Sequence, residues 1–158
     1  MMTPEPEIRT RRVAWHTHAH ALRHIREVVF IIEQKVPREE EWDDQDEGSQ
    51  HFIAEDQDGH ALGCARLLPT GQIGRMAVLR EQRGSGIGRR LLEAALEEAR
   101  TQGMREVFLH AQTHALEFYR KSGFVPYGDE FMEAGIPHRE MMRTLEPSGA
   151  TLSGPANG

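Results

Sequence analysis

The sequence predicts a mixed α/β domain built on one central sheet, and three observations carry that prediction. Two stretches, Ala21 to Gln34 and Gly86 to Gln102, repeat apolar residues at helical spacing. Three short apolar runs between them are separated by tight-turn residues, which reads as an antiparallel meander. Pro37, Gly103 and Gly123 then stand where helices should stop. At 158 residues, 38% hydrophobic and 28% charged, the chain has the size and composition of a single globular domain.

Taken in order, MMTPEPE is a polar start and Ile8 to Trp15 a first strand. In the first helix Leu22, Ile25, Val28, Val29 and Ile32 fall on one face. Glu39 to Ser49 is an acidic loop or short helix. HFIAED is a strand, Asp58-Gly59 its hairpin turn and HALGCARLLP the partner; a turn at Thr70-Gly71 leads into QIGRMAVL. The second helix buries Leu91, Leu92, Ala95, Leu96 and Ala99 and turns Arg89, Arg90, Glu93, Glu97 and Glu98 outward. EVFLH is a strand, Ala115 to Lys121 a short helix, and FVPY and HREMMRTL the last strands. The order is β-α-β-β-β-α-β-α-β-β. Residues 146–158, rich in Gly, Pro and Ser, read as a disordered tail behind a domain over 1–145.

Composition excludes some functions. A formal net charge of -6 argues against non-specific nucleic-acid binding, which needs a basic surface. Cys64 is the only cysteine, so no intrachain disulfide forms, and within a strand it reads as a small core residue rather than a nucleophile. No apolar run is long enough to span a membrane and no signal-peptide pattern opens the chain, so a cytoplasmic protein is expected.

The most informative stretch is MAVLREQRGSGIGRR, in which Gly84, Gly86 and Gly88 lie between a strand and a helix. The first N–H groups of a helix lack intrahelical partners and carry partial positive charge, and glycine lets a ligand approach the backbone. That combination is an anion site, most naturally for phosphate or pyrophosphate. The spacing is neither G-x-x-x-x-G-K-[ST] nor G-x-G-x-x-G, which sets aside the nucleotide P-loop and the dinucleotide fingerprint.

Arg83-Gly84-Ser85-Gly86-Ile87-Gly88 resembles the acetyl-CoA signature R/Q-x-x-G-x-G/A of the GNAT N-acetyltransferase superfamily. Gln112 to Phe124 resembles that family's N-x-x-A-x-x-x-Y-x-x-x-G-F element, with Ala115, Tyr119, Gly123 and Phe124 in place and Gln112 where Asn is usual. VFIIEQKVP, HAQTH and FMEAGIPHREM resemble the ElaA/YjcF-like branch. The resemblance covers Ile8 to Leu145. It implies a GNAT-type fold, with a mostly antiparallel sheet carrying helices on both faces. It also implies acetyl-CoA as cosubstrate and a primary amine as acceptor, on a small molecule or on a peptide or protein. No metal is expected, since the histidines near the N-terminus have no nearby Cys or clear carboxylate partner. Relatives are often homodimers, although no stretch here specifies an interface. The implied cofactor contacts are Met76, Ala77, Val78, Arg83, Gly84, Ser85, Gly86, Ile87, Gly88, Arg89, Gln112 and Tyr119.

Acetyl transfer from a thioester to an amine needs a neutral amine, a stabilised oxyanion and a proton for the departing thiolate. The resemblance gives Tyr119 as the proton donor and a backbone N–H at Val78 for the oxyanion. Two residues compete as base. Glu33 continues the Ile25, Val29 row, where an apolar setting would raise its pKa; His110 ends strand EVFLH. A water relay is a third route.

Other features suggest an acceptor side. The carboxylates from Glu39 to Glu47 around Trp42 read first as a solvated loop; the functional alternative is an acidic, cation–π wall for an ammonium group, joined by His51, with His138 facing the same cleft. His16, His18 and His20 alternate as they would on one face of a strand, lining a loop by that pocket. Two rival readings accompany the transferase: a catalytically idle acyl-CoA sensor of the same fold, and another phosphate-ligand enzyme.

Overall fold

The computed structural model describes residues 7–146; the tail expected to be disordered lies, apart from Glu146, outside them. Strand β1 (Arg9–Val13) leads into helix α1 (Trp15–Arg26), which continues as a π-helix over Glu27–Glu33. A short helix α2 (Arg38–Glu41) precedes the meander β2 (Gln50–Glu55), β3 (Ala61–Leu67) and β4 (Ile73–Val78). Helix α3 (Ile87–Thr101), β5 (Glu106–Gln112), α4 (Leu116–Arg120), β6 (Val125–Glu133) and β7 (Ile136–Thr144) complete the chain.

All named strand pairs are antiparallel, in the orders β1-β2-β3-β4 and β5-β7-β6. The two groups meet at a single parallel bridge, Gln72 with Phe108, where Phe108 N–H donates to Gly71 O (3.1 Å). Beyond it the expected central sheet opens between β4 and β5. The cause is local. Arg75 has φ 48 and the β3–β4 register slips between Cys64 and Arg66, so β4 carries a bulge. A bulge adds twist and bends its strand away from a neighbour.

Each half of the sheet's surface is covered. Helix α3 lays Ile87, Leu91, Leu92, Ala95, Leu96 and Ala99 on Phe52, Ala65, Leu67 and Val107. Helix α1 and its π-helical extension bury Leu22, Ile25, Val29 and Phe30 against Ile53, Cys64 and Ala77 on the other face. Gly63 lies under α3: a Cβ there would sit 3.1 Å from Leu91 Cδ1 and 3.3 Å from Ile87 Cγ2, as well as 2.9 Å from Ala77 O on β4.

The first helix differs from expectation at both ends. It begins at Trp15, so His16, His18 and His20 lie on a helix and spread around it rather than along one face of a strand. At the other end, Gln34 N–H donates to Val29 O (3.0 Å), an i→i−5 bond. That wider winding rotates the final turn, burying Phe30 and leaving Ile32 60% exposed instead of on the core row.

The acidic segment is neither wholly solvated nor an open wall, because part of it is paired within the protein. Arg26, 1% exposed, donates to Glu41 Oε2 and Asp46 Oδ1, both at 2.8 Å, with its guanidinium 5.1 Å from the Trp42 ring. Arg66 donates to Asp43 and Asp46 at 2.9 and 3.0 Å, and Arg75 to Asp43 at 3.1 Å. Three guanidinium groups therefore neutralise three of the carboxylates inside the protein. Buried charges need such partners. His51 is buried there as well, its Nε2 2.8 Å from Asp46 O and its ring against Trp15. Burial lowers its pKa. Trp42 and His51 thus pack within this network, while Glu40 and Glu41 line the cavity between β4 and β5.

Candidate active site

The opening between β4 and β5 forms a cavity of about 840 Å³. At one side stands the glycine turn. Gly84 and Gly86 have φ +86 and +88, a left-handed conformation that favours glycine, and a Cβ on either would meet nothing within 4 Å. The space beside this backbone is open. The first bond into α3 is Arg90 N–H to Gly86 O (3.1 Å), and no side chain caps the helix. The N–H groups of Ile87, Gly88 and Arg89 are therefore free among the described residues, as an anion site requires. Gly88 has a different role: a Cβ there would lie 3.3 Å from Phe118 Cζ, so it lets that ring pack on the turn.

The exposed edge of β4 supplies another donor. Leu79 N–H donates to Leu62 O (3.0 Å), and alternation along an antiparallel ladder turns the neighbouring Val78 N–H to the opposite edge, into the opening. Tyr119 lines the same cavity from α4, its hydroxyl 3.7 Å from Met76 Sδ and its ring 6.1 Å edge-on from Phe124. Burial pushes the phenol up to about 12, so it stays protonated through neutral pH.

The two candidate bases fare differently. Glu33 receives both arms of Arg83, each at 2.8 Å, and does not line the cavity. The Arg83 hydrogen bonds lower its pKa, the reverse of the shift expected from an apolar helix end. Glu33 is thus an ion-pair partner of the glycine turn, outside the cavity lining. His110 does line the cavity. Its Nδ1 lies 2.9 Å from Glu133 Oε1, and that hydrogen bond raises the imidazole pKa. Phe131 stands edge-on to His110 at 5.2 Å and stacks on His138 at 5.9 Å. His138 Nδ1 is 2.6 Å from Ile136 O, and its side chain does reach the cavity, as expected.

Of the other expected cofactor contacts, Met76, Ala77, Arg83, Arg89 and Gln112 line the cavity with the glycines and Ile87. Ser85 does not; its Oγ donates to Gln82 O (2.7 Å) and holds the turn. Gln112 exchanges hydrogen bonds with Gln34 at 2.9 and 3.4 Å, joining the end of the π-helix to β5. Cys64 is 1% exposed, and burial pushes its thiol up to about 12, which disfavours the thiolate and fits a packed core residue. Among the described residues, Asp56, Asp58 and His60 come close enough together to hold a metal, but they form the β2–β3 turn, away from the cavity lining. Asp56 Oδ1 there accepts from the Asp58 and His60 N–H groups, each at 2.9 Å, which accounts for the cluster as a turn.

Sequence reasoning missed Glu133 and Gln34, whose partners lie on other strands or helices. No helix among the described residues is long and apolar enough to cross a membrane.

The chain is similar to known proteins in sequence and fold. The profile of the acetyltransferase (GNAT) domain matches residues 19–145. The uncharacterized N-acetyltransferase YjcF of Bacillus subtilis is 36% identical over 124 residues, 76% of this chain and 88% of that protein. An acyl-CoA N-acyltransferase from Pseudomonas aeruginosa superposes with TM-score 0.78 at 32% identity, covering 87% of this chain and 99% of that one. Escherichia coli ElaA superposes with TM-score 0.77 at 28% identity, covering 85% and 99%. This chain belongs to the GNAT acetyltransferase family, in its ElaA/YjcF-like branch.

Proposed function

We propose that the protein transfers an acetyl group from acetyl-CoA directly to a primary amine, both substrates being bound together. The observation that carries this reading is a single cavity lined by the open glycine turn, the β4 edge, Tyr119 and His110. The free amides at Ile87, Gly88 and Arg89 suit the pyrophosphate, and the β4 edge suits the pantetheine arm.

In the chemical step the amine nitrogen bonds to the thioester carbonyl carbon. The carbonyl oxygen becomes an oxyanion that accepts from Val78 N–H. The amine gives a proton to His110 Nε2, which makes no hydrogen bond among the described residues. The C–S bond then breaks, and Tyr119 donates its phenolic proton to the leaving thiolate. Solvent resets both side chains. A buried Cys64 supports this direct route over one through an acyl-enzyme.

The test is free-thiol release from acetyl-CoA with a panel of primary amines. Amine-dependent release with N-acetylated product supports transfer. Acetyl-CoA binding without release by any amine supports the sensor instead.

A further inference from the structure

We propose that Glu133 is a positioning residue for the transfer step, holding the His110 ring so that Nδ1 carries the proton and Nε2 is left to accept one from the amine. The inference rests on the transferase reading above and deepens it.

Three observations support it. First, the geometry is a carboxylate–imidazole pair at the cavity wall, the His110 side chain 27% and the Glu133 side chain 46% exposed, with 2.9 Å between Glu133 Oε1 and His110 Nδ1. In neutral imidazole one nitrogen donates and the other accepts, so the carboxylate at Nδ1 selects the tautomer with a free Nε2.

Second, Glu133 is held there by the fold. It pairs with Ile136 across a two-residue turn, Ala134-Gly135, whose φ values of 53 and 75 are those of a tight hairpin turn of the primed type. Ala134 adopts a conformation that costs an L-residue about 1 kcal/mol or more. The packing of Ala134 and Ile136 against the cluster of Val29, Phe30 and Val36 supports that conformation. The hairpin tip thus spans the opening, and Glu133 is the residue it presents to β5.

Third, the ring is fixed on its other sides. Phe131 abuts it edge-on, and Phe108, next but one along β5, lies 6.3 Å away. The charged groups around it are few: Glu140 opposite on β7 also favours the imidazolium, while the His110 hydrogen bond lowers the Glu133 pKa, with His138 and Arg75 adding in the same direction. An anionic Glu133 beside His110 strengthens the imidazole as a base and stabilises the imidazolium formed when it takes the amine proton.

The experiment compares the full chain with its Glu133→Gln and His110→Ala variants. Glutamine keeps an acceptor for Nδ1–H but removes the charge. Two readouts are needed: the His110 imidazole titration by NMR, and the pH dependence of kcat for thiol release with the amine panel. The expected result is a limb rising with pH in the wild type and absent in His110→Ala. In Glu133→Gln the limb moves to lower pH and the plateau falls about tenfold or more. Acetyl-CoA affinity, measured by calorimetry, stays unchanged in both. An identical limb and an identical imidazole titration in Glu133→Gln would overturn the proposal. If no amine supports release by the wild type, the transferase reading fails and the catalytic role with it. The titration then still reports, separately, whether Glu133 governs the ring.

Discussion

Arg83 binds Glu33 with both arms of its guanidinium, at 2.8 Å each, while its Nε donates to Val78 O at 2.9 Å. One arginine of the glycine signature therefore ties the end of the first helix to the strand edge beside the cavity. This makes Glu33 a structural partner. Glu33→Gln should leave the position of the pH limb of kcat unchanged, because the titrating base lies elsewhere. The acetyl-CoA Kd should shift instead, by about tenfold or less, since Arg83 loses its tether. A pH–rate profile and a titration separate the two effects; loss of the limb itself would restore Glu33 as the base.

Tyr119→Phe removes only the hydroxyl. Its expected effect is a fall in kcat of about 100-fold with acetyl-CoA affinity within about twofold of wild type. Because burial pushes the phenol up to about 12, the donor stays protonated and the loss should persist across the neutral pH range. Unchanged kcat, with chemistry shown to be rate-limiting by single-turnover kinetics, would remove Tyr119 from the mechanism.

Cys64→Ala should keep turnover within about twofold and cost only about 1 kcal/mol of stability, the usual scale for trimming a small buried group. Mass spectrometry of enzyme incubated with acetyl-CoA alone should find no acetylated Cys64. A covalent adduct there would revive the two-step route.

The Arg26 network makes a prediction about stability rather than rate. Arg26→Met leaves Glu41 and Asp46 buried with fewer partners, at a cost of about 3 kcal/mol or more. That corresponds to a drop in Tm of roughly 10 °C for a chain of this size. Thermal unfolding measures it directly.

Acid should act through the same network. Burial alone would raise the Asp43 pKa, but the Arg66 hydrogen bonds outweigh it and hold the group at about 2, below the ordinary 3.8. A carboxyl lowered on folding contributes stability that is complete above its unfolded pKa and is lost as pH falls through the folded one. The difference in Tm between wild type and Asp43→Asn should therefore be largest near neutral pH and close as pH falls from about 4 toward about 2. A constant difference would mean that the charge of Asp43 contributes nothing.

How much of this was legible in the chain depends on range. Turns at Gly59, Gly71 and Gly103 were readable because positive φ at a single residue is a local demand. The glycine turn and Tyr119 were readable because each sits within one contiguous motif. The π-helix was not, since Val29, Phe30 and Ile32 look the same under either winding until the chain packs. Nor was Glu133, 23 residues from His110, because the β6–β7 register slips between Tyr127 and Phe131. The pairing of the acidic run was hidden for a related reason: Arg26, Arg66 and Arg75, which neutralise three of its carboxylates, come from α1, β3 and β4. Charge patterns in sequence do not reveal partners brought in by folding.

The most direct measurement is a calorimetric titration of acetyl-CoA into the wild type and into Gly86→Glu, with ATP and NAD as controls. Micromolar binding of acetyl-CoA alone, weakened at least about tenfold by a carboxylate at the helix N-terminus in a folded variant, is the predicted result. Equal affinity in the two proteins, or tighter binding of ATP or NAD than of acetyl-CoA, would contradict the assignment of the glycine turn to the pyrophosphate of coenzyme A.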